Sequence, residues 1–178
     1  MIVIFEGMDR CGKDTQTAML KTHFKNNVFH TMHYSNVNGL DSVECRIYSS
    51  KLYTEMFDII KETSVKNQHL ILNRAHLGEY VYGKIYRGYE GRYVFNIEEE
   101  FSDILNDIYL VVLVDDAKNI IERDDGNSHS TSLRDVNYEK QRFEEAFELS
   151  NIKNKRLIDI NDKSISEVHE TILRFIDE

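Results

Sequence analysis

Residues 4–16, IFEGMDRCGKDTQ, carry the first recognisable chemistry in the sequence. Gly7, Gly12 and Lys13 stand at the spacing Gly-x-x-x-x-Gly-Lys, directly after an apolar run and ahead of a helical pattern. In that setting the glycines let backbone N–H groups turn inward around phosphate oxygens. The helix N-terminus adds partial positive charge, and the lysine bridges the outer phosphates of a nucleotide. The last position of the pattern departs: Asp14 stands where a Ser or Thr hydroxyl ordinarily meets Mg2+. A carboxylate is itself an acceptable Mg2+ ligand. Asp14 therefore reads either as the metal ligand, with Thr15 as a neighbouring hydroxyl, or as a cap for the helix. Cys11, inside the loop, need only be small.

Such a loop needs a strand leading into it and a sheet around that strand. Five β-like runs alternate with helical patterns: 2–5, 28–34, 69–73, 108–114 and 156–160. The first, third and fourth are nearly continuous hydrophobics, as parallel strands covered on both faces require. Helical spacing occupies 13–26, 42–66, 75–87, 97–105, 116–123, 137–150 and 164–176. The expected fold is α/β, doubly wound, with three layers: a five-stranded parallel sheet and helices on both faces. No repeat or long linker interrupts it, so 1–178 is expected to be one domain. The polar stretch RDDGNSHSTSLRD, 123–135, reads either as a surface loop or as a lid at about 123–136 that closes over a substrate.

Composition narrows the partners. The chain carries 31 acidic and 22 basic residues, a net charge of −9, with no basic run, which opposes binding to bulk DNA or RNA. Two cysteines without metal-like spacing point to a reducing compartment. The opening MIVIF is too short for a secretory segment, and no apolar run is long enough to span a membrane. A soluble, cytoplasmic protein without a membrane partner is expected. Proline is absent, which removes one class of helix-stop signal and blurs the boundaries.

Three stretches together resemble a thymidylate kinase, and more broadly the nucleoside monophosphate kinases among the P-loop kinases. FEGMDRCGKDTQ matches the family's loop of Gly-x-Asp, two variable residues, Gly-Lys, a hydroxyl residue and Thr-Gln. ILNRAHLGEYVYG, 71–83, is similar to a strand-end Asp-Arg followed eight residues later by an aromatic. LVDDAKNIIERDDGNSHSTSL is similar to a strand, a helix ending in Arg and a lid, before the helix YEKQRFEEAFELS. The combination resembles the short bacteriophage-encoded members. The resemblance implies transfer of the ATP γ-phosphate to a deoxynucleoside monophosphate, with dTMP as the default acceptor, Mg2+ as cofactor and pairing as a homodimer.

It also implies roles. Gly7, Asp9, Arg10, Cys11, Gly12, Lys13, Asp14 and Thr15 would surround ATP and its metal, and Arg123 would lie on the adenine. Lys13, Arg10 and Arg74 would act on the transferred phosphate. Asp9 would approach the acceptor sugar, Arg74 would grip the acceptor phosphate, and Tyr82 would pack on the sugar edge. Each residue has a plainer reading. Asp9 suits a turn, Arg10 a solvated loop, Arg74 an ion pair, Tyr82 an aromatic cluster with Tyr80 and Tyr86, and Arg123 a helix C-terminus.

Departures from the family sharpen the expectation. Asn73 replaces its aspartate, and an amide cannot act as a base. No carboxylate follows the second strand in HYSNVNG, where related nucleoside kinases keep a Glu. An acceptor monophosphate is already ionised and needs positioning more than deprotonation, so both features favour it. Glu6, Asp9 and Asp115 stay open as carboxylates that approach the site, although Asp115 and Asp116 read as helix caps. The family's base-reading arginines are missing. Arg46 and Lys51 are the nearby cations, and Tyr34, Tyr48 and Tyr53 are candidates for base stacking. YRGYEGRY, 86–93, suits a loop bordering the acceptor better than a nucleic-acid platform. His30 and His33 fall on opposite strand faces and suggest no metal site. A deoxynucleoside kinase and a nucleotide-binding module without transfer remain as alternatives; a GTPase lacks its guanine signature.

Overall fold

IVIFEG forms β1 (Ile2–Gly7), and every residue of it is buried. A strand with no exposed face must lie inside a sheet covered on both sides. The computed structural model describes residues 1–24, 41–66, 68–123 and 132–177, and the backbone of 29–32. In it β1 is the centre of a sheet with β2 (Phe29–Met32), β3 (His69–Asn73), β4 (Ile108–Val114) and β5 (Asn154–Asp159). Among the described residues the order is β2-β3-β1-β4-β5, and all pairings are parallel. The expected α/β fold with a five-stranded parallel sheet is the one adopted. From β1 the chain goes to β2 and then β3 on one side, and crosses to β4 and β5 on the other. The crevice beyond the strand ends at such a reversal is where open α/β sheets bind ligands.

The helices are α1 (Lys13–His23), α2 (Ser42–Val65), α3 (Leu77–Tyr86), α4 (Tyr93–Glu100), α5 (Ala117–Glu122), α6 (Leu133–Leu149) and α7 (Ile165–Asp177). α1 packs on α7, while α3 packs on α4 and α6, α2 on α4, and α5 on α6. α7 buries Val168, Ile172, Phe175 and Ile176, one stripe at three- and four-residue spacing. Its contact with α1 is polar as well as apolar. Gln16 donates to the Ile165 carbonyl at 3.0 Å and accepts from His169 Nδ1 at 3.1 Å. α2 starts in a capping box. Asp41 accepts from the amides of Val43 and Glu44, and Glu44 accepts from that of Asp41, which stabilises the helix by about 1 kcal/mol. Among the described residues no helix is long and apolar enough to cross a membrane.

α1 ends at His23, short of the expected 26, and α4 and α6 depart further from expectation. The pattern at 97–105 predicts one helix, but α4 begins at Tyr93 and ends at Glu100, and Leu105–Asp107 forms a separate 3-10 turn. Ile97, Ile104 and Leu105 are all buried, so the apolar spacing continues through a turn that is not helix. α6 begins at Leu133, four residues before the predicted start, because Ser132 caps it by accepting from the Asp135 amide at 3.1 Å. Residues 133–136 of the expected lid are therefore helix, and 124–131 lie outside the described residues. So do His33 and Tyr34.

A buried polar knot holds the turn after β3 to the far end of the molecule. His76 Nε2 lies 2.6 Å from Glu98 Oε1, and both side chains are fully buried. Glu98 also accepts from Ser150 Oγ at 2.7 Å and from the Asn151 amide at 2.6 Å. Burial raises the Glu98 pKa, but His76, the Asn151 amide and the Ser150 hydroxyl outweigh it, so the carboxyl sits below its ordinary range. A carboxyl held low when folded stabilises above its unfolded pKa and loses that contribution as pH falls. Glu98→Ala is expected to cost about 3 kcal/mol in urea unfolding at pH 7. The gap between wild type and variant should shrink as pH drops below about 4.5.

Candidate active site

The strand ends assemble the site. Gly7 closes β1 at φ 129°, and a Cβ there would lie 2.0 Å from the Leu113 carbonyl oxygen of β4, so no larger residue fits. The Met8 amide then donates to that same carbonyl at 3.1 Å. The chain turns over Arg10, at φ 63°, and Gly12, at φ 76°, and enters α1 at Lys13. Gly12 is the N-cap and no side chain caps it, so the capping role open to Asp14 is not the one taken. Asp14 lies in the first turn, where a carboxylate complements the helix dipole, and Thr15 beside it is exposed. Lys13 is buried and donates to the carbonyls of Gly7 at 2.8 Å and Met8 at 2.6 Å. Burial, and then the charge of Arg74, pull its pKa down.

Arg74 is the first residue past β3 and takes φ 75°, a left-handed conformation that costs a side-chain-bearing residue about 1 kcal/mol or more. Its amide donates to the Phe5 carbonyl at 2.9 Å. Its guanidinium pairs with Asp9 of the loop, Nη1 to Oδ1, at 2.7 Å. Burial opposes the Asp9 charge, but the Arg74 hydrogen bond and the charges of Arg74, Lys13 and Arg10 prevail and hold the carboxyl low. The glycine loop and the strand-end arginine are thus one ionic unit. Below them Glu6, 1% exposed, accepts from the amides of Ala75 at 3.0 Å and Gly78 at 3.1 Å. Burial raises its pKa, and His76, the two amides and Lys13 only partly offset that.

A residue that sequence reasoning missed joins these parts. Glu139 of α6, 3% exposed, accepts from the Asp9 amide at 3.1 Å and from the Tyr82 hydroxyl at 2.8 Å. Tyr82 also stacks on Tyr86 and meets the edge of Phe143. The available signal was the periodicity of α6, on which Val136, Glu139, Arg142, Phe143 and Ala146 all face inward. A carboxylate and a guanidinium on that buried stripe had to have partners. Arg142 has its own: it bonds the Tyr80 hydroxyl at 2.9 Å and carbonyl at 3.0 Å, and lies over the ring.

The remaining candidates are distributed around this centre. Arg123 follows α5 and reaches Asp115 at 2.7 Å and the Arg10 carbonyl at 3.3 Å, so it borders the loop. Asp115 is fully buried and accepts from the Asp116 amide and from Asn119. Neither Asp115 nor Asp116 forms the expected capping bond: Asp116 is the N-cap of α5 but directs its side chain to Lys140. Arg87, Tyr89 and Tyr93 of the 86–93 stretch turn inward onto the buried carboxylate of Glu79. Tyr53 is 3% exposed and belongs to the core, Tyr48 is exposed, and Arg46 lies 5.8 Å over the Tyr93 ring.

Asp14 and Asn73 touch: Asn73 Nδ2 donates to Asp14 Oδ1. Asn73 is buried, and its Oδ1 has no partner among the described residues. Carboxylate and amide oxygens are the hard donors Mg2+ takes. Among the described residues no three His, Cys, Asp or Glu side chains gather to hold a metal unaided.

The whole architecture has solved counterparts. It matches a thymidylate kinase from Candida albicans with a TM-score of 0.66, at 18% identity, covering 99% of this chain and 90% of that one. It matches the YorR protein of Bacillus subtilis, in complex with phosphorylated GDP, with a TM-score of 0.69 at 18% identity, covering 99% and 96%. The chain has a thymidylate kinase-like P-loop kinase fold. A thymidylate kinase from Ehrlichia chaffeensis matches likewise, with a TM-score of 0.66 at 18% identity, covering 99% and 98%. No protein-family model matches the sequence, and a search of curated proteins finds no match.

Two outcomes are expected from this geometry. Glu139→Ala should cost about 1–3 kcal/mol in chemical denaturation, since it strands the Asp9 amide and the Tyr82 hydroxyl. Cys11 is 2% exposed, and burial pushes its thiol up to about 12. Iodoacetamide at pH 8 should leave it unmodified in the folded protein and label it after unfolding, as read by peptide mass spectrometry.

Proposed function

We propose that the protein is a phosphotransferase that moves the ATP γ-phosphate onto a deoxynucleoside monophosphate, with dTMP as the expected acceptor. One observation carries this reading: a strained arginine at the end of β3 is locked by Asp9 to a glycine loop of phosphate-binding spacing. That arrangement sets two anion-binding elements side by side, as transfer between two phosphorylated molecules requires. The likeness to kinases of this fold agrees with it.

In this reading the loop amides and Lys13 hold the donor phosphates. Lys13 exchanges the carbonyls of Gly7 and Met8 for phosphate oxygens. Arg74 holds the acceptor phosphate and Asp9 keeps its guanidinium aimed, while Tyr82 borders the sugar. An acceptor oxygen forms the new bond to the γ-phosphorus as the bond to the ADP oxygen breaks. The charge spread over the transferred group is met by Lys13, Arg10 and Arg74. Asp14 would hold Mg2+, which would supply further charge neutralisation. Arg123 borders the donor side, where the adenine is expected. Residues 124–131 would provide the lid.

The acceptor class follows from what the carboxylates are doing. Glu6 is occupied by two backbone amides, Asp9 by Arg74, and Asp115 by Arg123, Asn119 and the Asp116 amide. None of the three is poised as a base for a neutral hydroxyl, which supports an acceptor that arrives ionised. The acceptor panel spans all the bases, since the Candida albicans thymidylate kinase is described as having broad substrate specificity and YorR is seen with phosphorylated GDP.

Coupled ADP release with each deoxynucleoside monophosphate, and with thymidine, tests the proposal. A monophosphate should be phosphorylated and thymidine should not. Arg74→Ala should lower kcat/KM for the acceptor by roughly 100-fold, the loss of a charged hydrogen bond to phosphate, while the KM for ATP changes little. Turnover of thymidine alone, or none with the full panel, would overturn it.

A further inference from the structure

The phosphate-loop pattern requires a hydroxyl at position 14, and this chain has a carboxylate there. The side chain that meets it is an amide from another element. Asn73 is the last residue of β3, whose register places it beside Phe5 at the centre of the sheet. It is 7% exposed, whereas Asp14 sits on the open first turn of α1. The partners are therefore unequal: the sheet fixes the amide, and the amide selects one orientation for a carboxylate that would otherwise rotate freely.

The chemistry of the contact is complementary. A second carboxylate at 73 would face Asp14 with like charge, and a hydroxyl at 14 would leave no anion on this side of the loop. The amide donates through Nδ2, so its Oδ1 faces away from Asp14, buried and unpartnered among the described residues. Buried polar atoms without partners are rare and call for a reason. Among the described residues no hydrogen bond engages the second oxygen of Asp14 either. Asp14 as a residue is exposed.

We propose that Asn73 is a positioning residue: it aims the Asp14 carboxylate at the divalent cation of the nucleotide complex, so that the two side chains together replace the hydroxyl of the loop pattern. The inference rests on the phosphotransferase reading, because the cation arrives with the nucleotide's phosphates. Outer partners of metal ligands commonly govern affinity in this way.

The test is a Mn2+ titration of the protein–ATP complex, read from the electron paramagnetic resonance of free Mn2+, with calorimetry of ATP in EDTA as the metal-free control. Asn73→Ala is expected to weaken Mn2+ binding about tenfold and to leave metal-free ATP binding unchanged. Asn73→Leu, similar in shape and without a donor, is run alongside and should behave the same, so the result does not depend on a cavity. Asp14→Asn combined with Asn73→Ala should bind Mn2+ no more weakly than Asp14→Asn alone, since Asn73 acts through Asp14. Additive losses in the double variant, or equal losses with and without metal, would overturn the proposal. So would Asn73 variants that bind Mn2+ as wild type does while Asp14→Asn does not; that result leaves the phosphotransferase reading intact. Wild-type protein that binds no ATP would overturn both.

Discussion

The site depends on a carboxylate that never meets solvent. Glu6 is the last residue but one of a fully buried strand and accepts from two amides of the turn that follows β3. Those bonds, with the Arg74 amide on Phe5, oblige the chain to reverse sharply beside the loop. The reversal places Arg74 in a left-handed conformation that its neighbours have to over-determine. Remove the acceptor and nothing local favours that geometry. The buried charge has its own cost, visible in the upward push on the Glu6 pKa, and the amides and Lys13 recover part of it.

From that anchor the other acidic residues acquire a common purpose. The chain carries a net charge of −9 yet gathers Lys13, Arg74 and Arg123 about the glycine loop. The acids nearest them tether cations and amides: Asp9 aims Arg74, Asp115 holds Arg123, and Glu139 fixes the Asp9 amide and Tyr82. The two ion pairs lower the local repulsion among the cations they hold. An acidic whole and a local group of cations are therefore compatible, because screening confines each field to about a Debye length. Glu139 adds a mechanical link, since α6 follows directly on 124–131 and reaches both the loop and α3 through one oxygen.

Much of this was legible in the sequence where the signal is local. A glycine that must pass a neighbouring carbonyl, a lysine at a helix start and a continuous apolar strand are dictated by backbone geometry, so Gly7, Lys13 and β1 read directly. Spacing also brought Arg74 to the loop and Tyr82 to the adjoining helix. Helix ends were less legible: with no proline, the stop at Glu100 depended on a turn whose apolar residues continue the helical spacing. Pairings across the fold were illegible. Nothing near Glu139 in sequence points to Asp9, and nothing near Asp14 points to Asn73; only the sheet order brings them together.

The Asp14–Asn73 contact also bears on how a fold persists at 18% identity with its solved counterparts. Read one at a time, each departure from the motif looks like a loss: a hydroxyl gone from the loop, a carboxylate gone from the strand end. Read as a contact, they are one pair, in which a single anion and a single donor face each other. Backbone constraints such as the Gly7 passage admit no such trade, because no second residue can make room for a Cβ 2.0 Å from a carbonyl oxygen. Side-chain roles that live in pairs can move within the pair. The loss of a motif residue therefore argues for lost chemistry only when its spatial partner has not changed with it.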